Sequence, residues 1–319
     1  MKKIHWLIPF KIKEPKEVSL SNIASIRLRT SLFNLPIFNK YKLSINESLN
    51  YKSDIDYLFI SKPRLDLSDK WLEIIEKHRK NNKKLYFDYT DHHLNRENHL
   101  GNFYNKAIKE NDHIITSSNK LKNYLKNFKN ITVIEDPIEI EIQKIKKNKN
   151  NSFLFFGHPT NLNFLFNLIP NWDQSKEYTL IIQTSDIGLK IIQEQGKFIQ
   201  KPNNLKIQLQ HWSISNMLKT ADHVSGIIIP GDINNEMKNG VSHNRLITAF
   251  ALGLPVAATR YESYLDFDHQ FVDIDNNSEF KNFLKNPSLF CSRVVMAQKK
   301  VKFFTKENIS LKWLDLIKN

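Results

Sequence analysis

Short apolar runs alternate with amphipathic stretches along the whole chain. Ile4 to Pro9, Asp56 to Ser61, Lys84 to Asp88, His113 to Ser117 and Ile131 to Glu135 are brief runs rich in β-branched and aromatic residues, the pattern of buried strands. Between them the spacing turns helical. Trp71, Leu72, Ile75 and His78 mark one face of a helix over Asp69 to Lys80, with Ser68 or Asp69 as its cap. Further helices are predicted over Asn102 to Glu110 and, capped by Ser118, over Asn119 to Phe128. Ser21 to Leu32 reads as a loop entering a helix, with Arg27 and Arg29 either exposed or facing a ligand beyond the first strand. Strand and helix in strict alternation argue for a doubly wound parallel sheet.

Glu139 to Asn151 breaks this rhythm with charged and polar residues and no aromatic, as a linker does. The rhythm then restarts. Strands are predicted over Ser152 to Phe156, Tyr178 to Gln183, Leu205 to Leu209, Val224 to Ile229 and Phe271 to Ile274, with another opening at Val256. Helices fall over Leu162 to Leu168, Gly188 to Glu194 and Ser215 to Thr220, and a last amphipathic region covers Val294 to Lys318. A chain of 319 residues is long for one core. The division is residues 1–140, a linker over 141–151, and residues 152–319.

Composition narrows the classes. The net charge of +14 accompanies a general excess of Lys, Asn and Ile, which an AT-rich coding sequence produces. The densest basic cluster, Lys144 to Lys149, has no interleaved aromatics, so no nucleic-acid partner is expected. The single Cys291 excludes a disulfide framework and fits a cytoplasmic setting. The apolar stretch Ile4 to Phe10 is too short for a signal sequence. No run approaches the ~20 apolar residues of a membrane span, so membrane contact would be peripheral, at the inner face. Walker, G-x-G-x-x-G and G-x-S-x-G patterns are lacking. The triplets Asp54/Asp56, Asp266/Asp268 and Asp273/Asp275 have no supporting cluster, and no metal is expected.

One stretch, His223 to Thr259, concentrates the chemistry. Pro230 and Gly231 stop its strand, and a polar loop runs through Lys238, Asn239 and Gly240. A helix opens near Ser242 or His243 with Leu246, Ile247, Phe250 and Ala251 on one face, and Gly253 and Pro255 end it. A loop of this kind lies at the carboxyl ends of the strands beside a helix N-terminus, where anions collect. Arg245, in the first turn, opposes the helix dipole unless an anion is bound. Its guanidinium suits a diphosphate, the alternative being an ion pair with Asp232 or Glu236. Two other loops end strands and carry histidine, Asp88 to His93 and Gly157 to Asn161. Either could donate to a phosphate or work in acid–base chemistry, or be plain exposed loop.

The run K-x5-NRLITAFALGLPVAA resembles the donor-binding segment of GT-B glycosyltransferases, in particular the large retaining family 4, and HIITSS to IEDPI resembles the end of their N-terminal domain. The resemblance implies an α/β chain of two Rossmann-like, doubly wound parallel-sheet domains facing a cleft, with a C-terminal helix crossing back to the first. It implies a metal-independent, hexosyltransferase-type enzyme moving a sugar from a nucleotide-diphosphate-sugar, with no other cofactor, to a glycan or lipid-linked acceptor. Lys238 and Arg245 would hold the diphosphate, with Asn244, Gly157, His158 and Asn161 around the donor; His92 or His93 would sit near the sugar or acceptor. Family members carry two glutamates eight residues apart, the second on the ribose hydroxyls. Gly240 and Thr248 stand there instead, leaving Thr248 at the ribose position. Two rivals follow: a GT-B-shaped nucleotide or glycan binder without catalysis, of which these replacements would be the traces, and a basic nucleic-acid binder on charge alone.

Overall fold

The computed structural model describes residues 1–21, 23–47, 50–195 and 200–318. They form two units, Met1–Pro137 with Gly240–Ser242 and Lys306–Asn319, and Ile138–Asn239 with His243–Thr305.

In the first unit the chain runs through β1 (Lys3–Leu7), α1 (Ala24–Arg29), β2 (Lys42–Asn46), β3 (Tyr57–Ile60), α2 (Ser68–Lys80), β4 (Lys84–Tyr89), α3 (His99–Ala107), β5 (His113–Thr116), α4 (Asn119–Tyr124) and β6 (Ile131–Val133). The strands pair in parallel in the order β2-β1-β3-β4-β5-β6. β3 is buried throughout and β4 from Leu85 onward, as their apolar runs require. β2 corresponds to no predicted strand. It is an edge strand whose sequence, KLSIN, buries only Ile45, so it carries no apolar run.

One of the two predicted caps differs from the sequence reading and one agrees with it. Ser68 lies inside α2 and donates its hydroxyl to the Leu65 carbonyl at 2.8 Å, while Leu67 precedes the helix without a side-chain cap. Ser118 does cap α4, accepting from the Leu121 amide at 3.1 Å. Arg29 is the larger correction. It is not exposed but fully buried, with its guanidinium 2.7 Å from the Asp88 carboxylate, 3.0 Å from Asp136 and donating to the Ile134 carbonyl at 2.6 Å. One arginine thereby ties the ends of β4 and β6 to α1. Two carboxylates and a carbonyl satisfy a charge that burial would otherwise forbid.

The second unit contains β7 (Ser152–Phe156), α5 (Leu162–Leu168), β8 (Tyr178–Thr184), α6 (Asp186–Gln195), β9 (Leu205–His211), α7 (Ile214–Ala221), β10 (Gly226–Ile229), α8 (Glu236–Asn239), α9 (Asn244–Ala251), β11 (Val256–Ala258), β12 (Val272–Asp273), α10 (Asn277–Lys285) and α11 (Cys291–Val301). Its sheet is also parallel, in the order β12-β11-β10-β7-β8-β9. The strand order reverses between β7 and β10, the topological switch point of an open α/β sheet. Gly253, at φ +78°, closes α9 in the left-handed conformation that glycine tolerates. A side chain there would strike the Lys144 carbonyl, at 2.1 Å from its Cβ. Residues 141–151, read as linker, lie along this unit: the Gln143 and Lys146 amides donate to the carbonyls of Ala251 and Gly253.

The last amphipathic region is two helices, not one. α11 stays with the second unit; α12 (Lys306–Lys318) belongs to the first. There Trp313 packs 5.3 Å from Trp6 and 5.5 Å from Phe33, centroid to centroid, and lies 5.0 Å from the Arg29 guanidinium.

Candidate functional site

The second unit gathers its polar groups at the switch point. β7 ends at Phe156, and Gly157 follows with its amide donating to the Gln183 carbonyl at 3.1 Å. The chain then turns through His158 into a single 3-10 turn, Pro159–Asn161. His158 Nδ1 accepts from the Thr160 amide at 3.3 Å and lies 3.1 Å from the Thr160 hydroxyl. That hydroxyl also accepts from Lys238 Nζ at 3.2 Å. Lys238 comes from the loop after β10, where the predicted loop contains a short helix, α8. The loop's origin is set by Gly231, whose amide donates to the Thr259 hydroxyl at 2.8 Å and whose missing Cβ makes room for the Tyr261 hydroxyl.

Arg245 reaches the same place from the first turn of α9. Its Nε donates to the Phe156 carbonyl at 3.1 Å, and its Cζ lies 5.2 Å from the Phe155 ring centroid. The guanidinium lies so close over Gly157 that a Cβ there would stand 3.2 Å from Cζ. Nη2 is buried without a hydrogen-bond partner. Neither Asp232 nor Glu236 is paired with it; among the described residues no carboxylate is. Burial lowers the guanidinium's pKa, because water has been removed and no anion replaces it.

The other predicted donor residues are distributed around this centre. Asn161 closes the 3-10 turn and is half-buried, as is Asn244, the residue before Arg245. Thr248 is one turn further along α9 and only 3% exposed. Gly240 packs against α4: a Cβ would lie 3.1 Å from Leu121 and 3.2 Å from Tyr124, and its carbonyl accepts from Ser118 Oγ at 2.6 Å. A longer side chain there requires Leu121 and Tyr124 to give way by a few tenths of an ångström. Thr160 was not singled out in the sequence, yet it bridges Lys238 and His158; its one signal was its place directly after a strand-ending Gly-His-Pro.

The two remaining histidines follow β4 in the first unit, and they are not equivalent. His92 Nδ1 is 2.7 Å from the Tyr89 hydroxyl, and its ring stacks on Tyr124 at 4.1 Å. His93 is buried, with Nε2 lacking a hydrogen-bond partner and 4.0 Å from Asp91. Burial, with Lys62 nearby, pushes its pKa down to about 4, so the ring is neutral at pH 7. Asp88, one residue before the end of β4, is committed to Arg29; burial nonetheless raises it to about 6.

No group of three or more His, Cys, Asp and Glu among the described residues is placed to hold a metal ion. Of the Asp triplets, Asp54 pairs with Lys3, Asp56 with Lys83 at 3.3 Å, and Asp268 with Arg260 in a two-point pair at 3.0 and 2.7 Å, while Asp273 accepts from the Asp275 amide at 3.0 Å.

No family model matches the sequence, and no curated protein matches it. The fold is similar to solved glycosyltransferases of the GT-B class. HepE from Anabaena, in complex with UDP and glucose, superposes with a TM-score of 0.66 at 11% identity, covering 100% of both chains. An α-glucosyltransferase in complex with UDP gives 0.63 at 12% identity over 99% of both chains. AviGT4, a glycosyltransferase involved in avilamycin A biosynthesis, gives 0.60 at 8% identity, over 99% of this chain and 96% of its own. The chain has the GT-B fold, with two Rossmann-like α/β units.

Proposed function

We propose that the protein transfers a sugar from a nucleotide-diphosphate-sugar to a glycan or lipid-linked acceptor. The observation that carries this reading is Arg245, a guanidinium with a buried, unpartnered Nη2 and no carboxylate, fixed against Gly157 at the switch point of the second sheet. A diphosphate supplies what is missing there. Arg245 takes one phosphate through two N–H groups, Lys238 adds a second positive charge, and the amides opening α9 add their dipoles. As the glycosidic bond to the donor breaks, negative charge accumulates on the leaving diphosphate. These donors are already in place, so the transition state gains more than the ground state.

His92 is the residue for contact with the sugar or acceptor, since His93 is held neutral inside the first unit. UDP is the nucleotide to try first, because HepE and the α-glucosyltransferase were both solved with it. Thermal unfolding with UDP, GDP and their sugars tests the proposal. A nucleotide at 100 times its Kd adds about 2.7 kcal/mol. Such a shift, lost in Arg245→Ala, supports the donor site, and release of nucleoside diphosphate from one sugar donor supports transfer. A nucleotide shift with no release under any donor and acceptor would leave a binding protein. No shift with any nucleotide would refute the donor site.

A further inference from the structure

Outside the nucleotide site, α11 has an unusual composition. Between Glu279 and Glu307 the chain contains no acidic residue, while residues 280–305 hold Lys281, Lys285, Arg293, Lys299, Lys300 and Lys302. α11 has two faces. Cys291, Val294, Ala297 and Val301 are buried in the second unit. The opposite face carries Val295 at 46% exposure and Met296 at 54%, and Phe303, one turn past Lys299, is 69% exposed. Met296 and Lys299, three residues apart on α11, share one stripe, and Phe303 follows in the 3-10 turn Lys302–Phe304 beyond the end of the helix. Arg293 is neutralised by Glu279 at 2.9 Å and Lys285 by Asp173 at 3.4 Å. Among the described residues Lys299 and Lys300 have no carboxylate partner; Lys300 donates to the Asp266 backbone carbonyl and keeps its charge.

We propose that this face of α11 is a docking surface for an anionic lipid bilayer. Val295, Met296 and Phe303 enter the boundary between headgroups and acyl chains, and Lys299 and Lys300 meet the lipid phosphates and carboxylates. A helix lying in the interface needs both halves of this pattern, and no described helix is long and apolar enough to cross the membrane instead. Nucleic acid would use the lysines and stack a base on Phe303, but would gain nothing from exposed Val295 and Met296. A second copy of the chain, meeting this face with its own, would set lysines against lysines. The inference does not rest on the nucleotide site and stands or falls separately.

Vesicle flotation tests it, using phosphatidylcholine alone and phosphatidylcholine with phosphatidylserine, at low and raised salt. The protein floats with the anionic vesicles, and salt releases it. Lys299→Glu with Lys300→Glu lowers the bound fraction more than tenfold, at about fivefold or more per lysine. Met296→Ser with Phe303→Ser lowers it by about tenfold. All four residues are exposed, and unchanged thermal midpoints establish that the variants fold. Absence of binding to either vesicle, or equal binding to both, overturns the proposal. Full binding by Met296→Ser/Phe303→Ser, together with displacement by a short oligonucleotide, overturns it in favour of a general polyanion surface. A dimer in light scattering that dissociates in the Phe303→Ser variant overturns it in favour of self-association.

Discussion

Replacing Arg245 with methionine should raise the stability of the free protein while weakening its hold on nucleotide. The guanidinium is desolvated and has one neutral hydrogen bond, to the Phe156 carbonyl, in place of an ion pair. An unpaired buried charge costs several kcal/mol, more than the net value of a single hydrogen bond at ~1 kcal/mol. Methionine keeps the apolar stem against Phe155 and removes the charge. The substitution also leaves the Phe156 carbonyl without its donor, at a cost of about 1–3 kcal/mol. The balance is a gain of ~1–2 kcal/mol, or roughly 2–8 °C in the thermal midpoint for a domain of this size. For nucleotide the sign reverses. Losing two charge-assisted hydrogen bonds at ~1.5–3 kcal/mol each weakens binding by about a hundredfold or more. Thermal unfolding of both proteins, with and without UDP, reads both quantities in one experiment. A variant with a lower midpoint and an undiminished UDP shift would refute the reasoning, because Arg245 would then be a structural cation.

Arg29→Met strands the Asp88 and Asp136 carboxylates in the core and should cost about 3–5 kcal/mol in urea unfolding at neutral pH. The deficit should shrink near pH 5, because Asp88, already raised to about 6, can then be buried as the neutral acid. His5 and His93 are each held at about 4 against an ordinary 6.5, so the unfolded chain binds more protons between those limits. Stability is complete above pH 6.5 and falls toward pH 4 by ~1.4 kcal/mol per pH unit for each ring. Asp88 acts oppositely, removing stability as pH rises from 3.8 to about 6, so the net loss from these three groups below pH 6 should follow one proton, to which His78 and His113, also lowered by burial, add in the same direction. Urea midpoints across this range measure the slope, and His5→Asn should remove one ring's share. Gly240→Glu should destabilise by about 1–3 kcal/mol through its contact with Leu121 and Tyr124; an unchanged midpoint would show that packing does not exclude the side chain.

Most elements of the fold could be read from the chain because their signals are local. A buried parallel strand such as β7 or β10 is a continuous apolar run, and α5 was bounded to the residue by its spacing. The strand-ending loops, with Gly157, His158 and Lys238, were marked by turn residues a few positions away. β2 had no such signal, since an edge strand half-covered on both faces carries no apolar run. The burial of Arg29 depends on carboxylates 59 and 107 residues away, which no window of sequence contains. Arg245 likewise meets its carbonyl across 89 residues. Its sequence neighbours Asp232 and Glu236 could be offered as partners, and the folded chain leaves both apart from it. Charge on a helix's first turn is a local fact, but whether it stays unneutralised depends on which strands lie beside one another. That juxtaposition is made by pairing β7 with β10, which sets Arg245 against the Phe156 carbonyl and away from any carboxylate among the described residues.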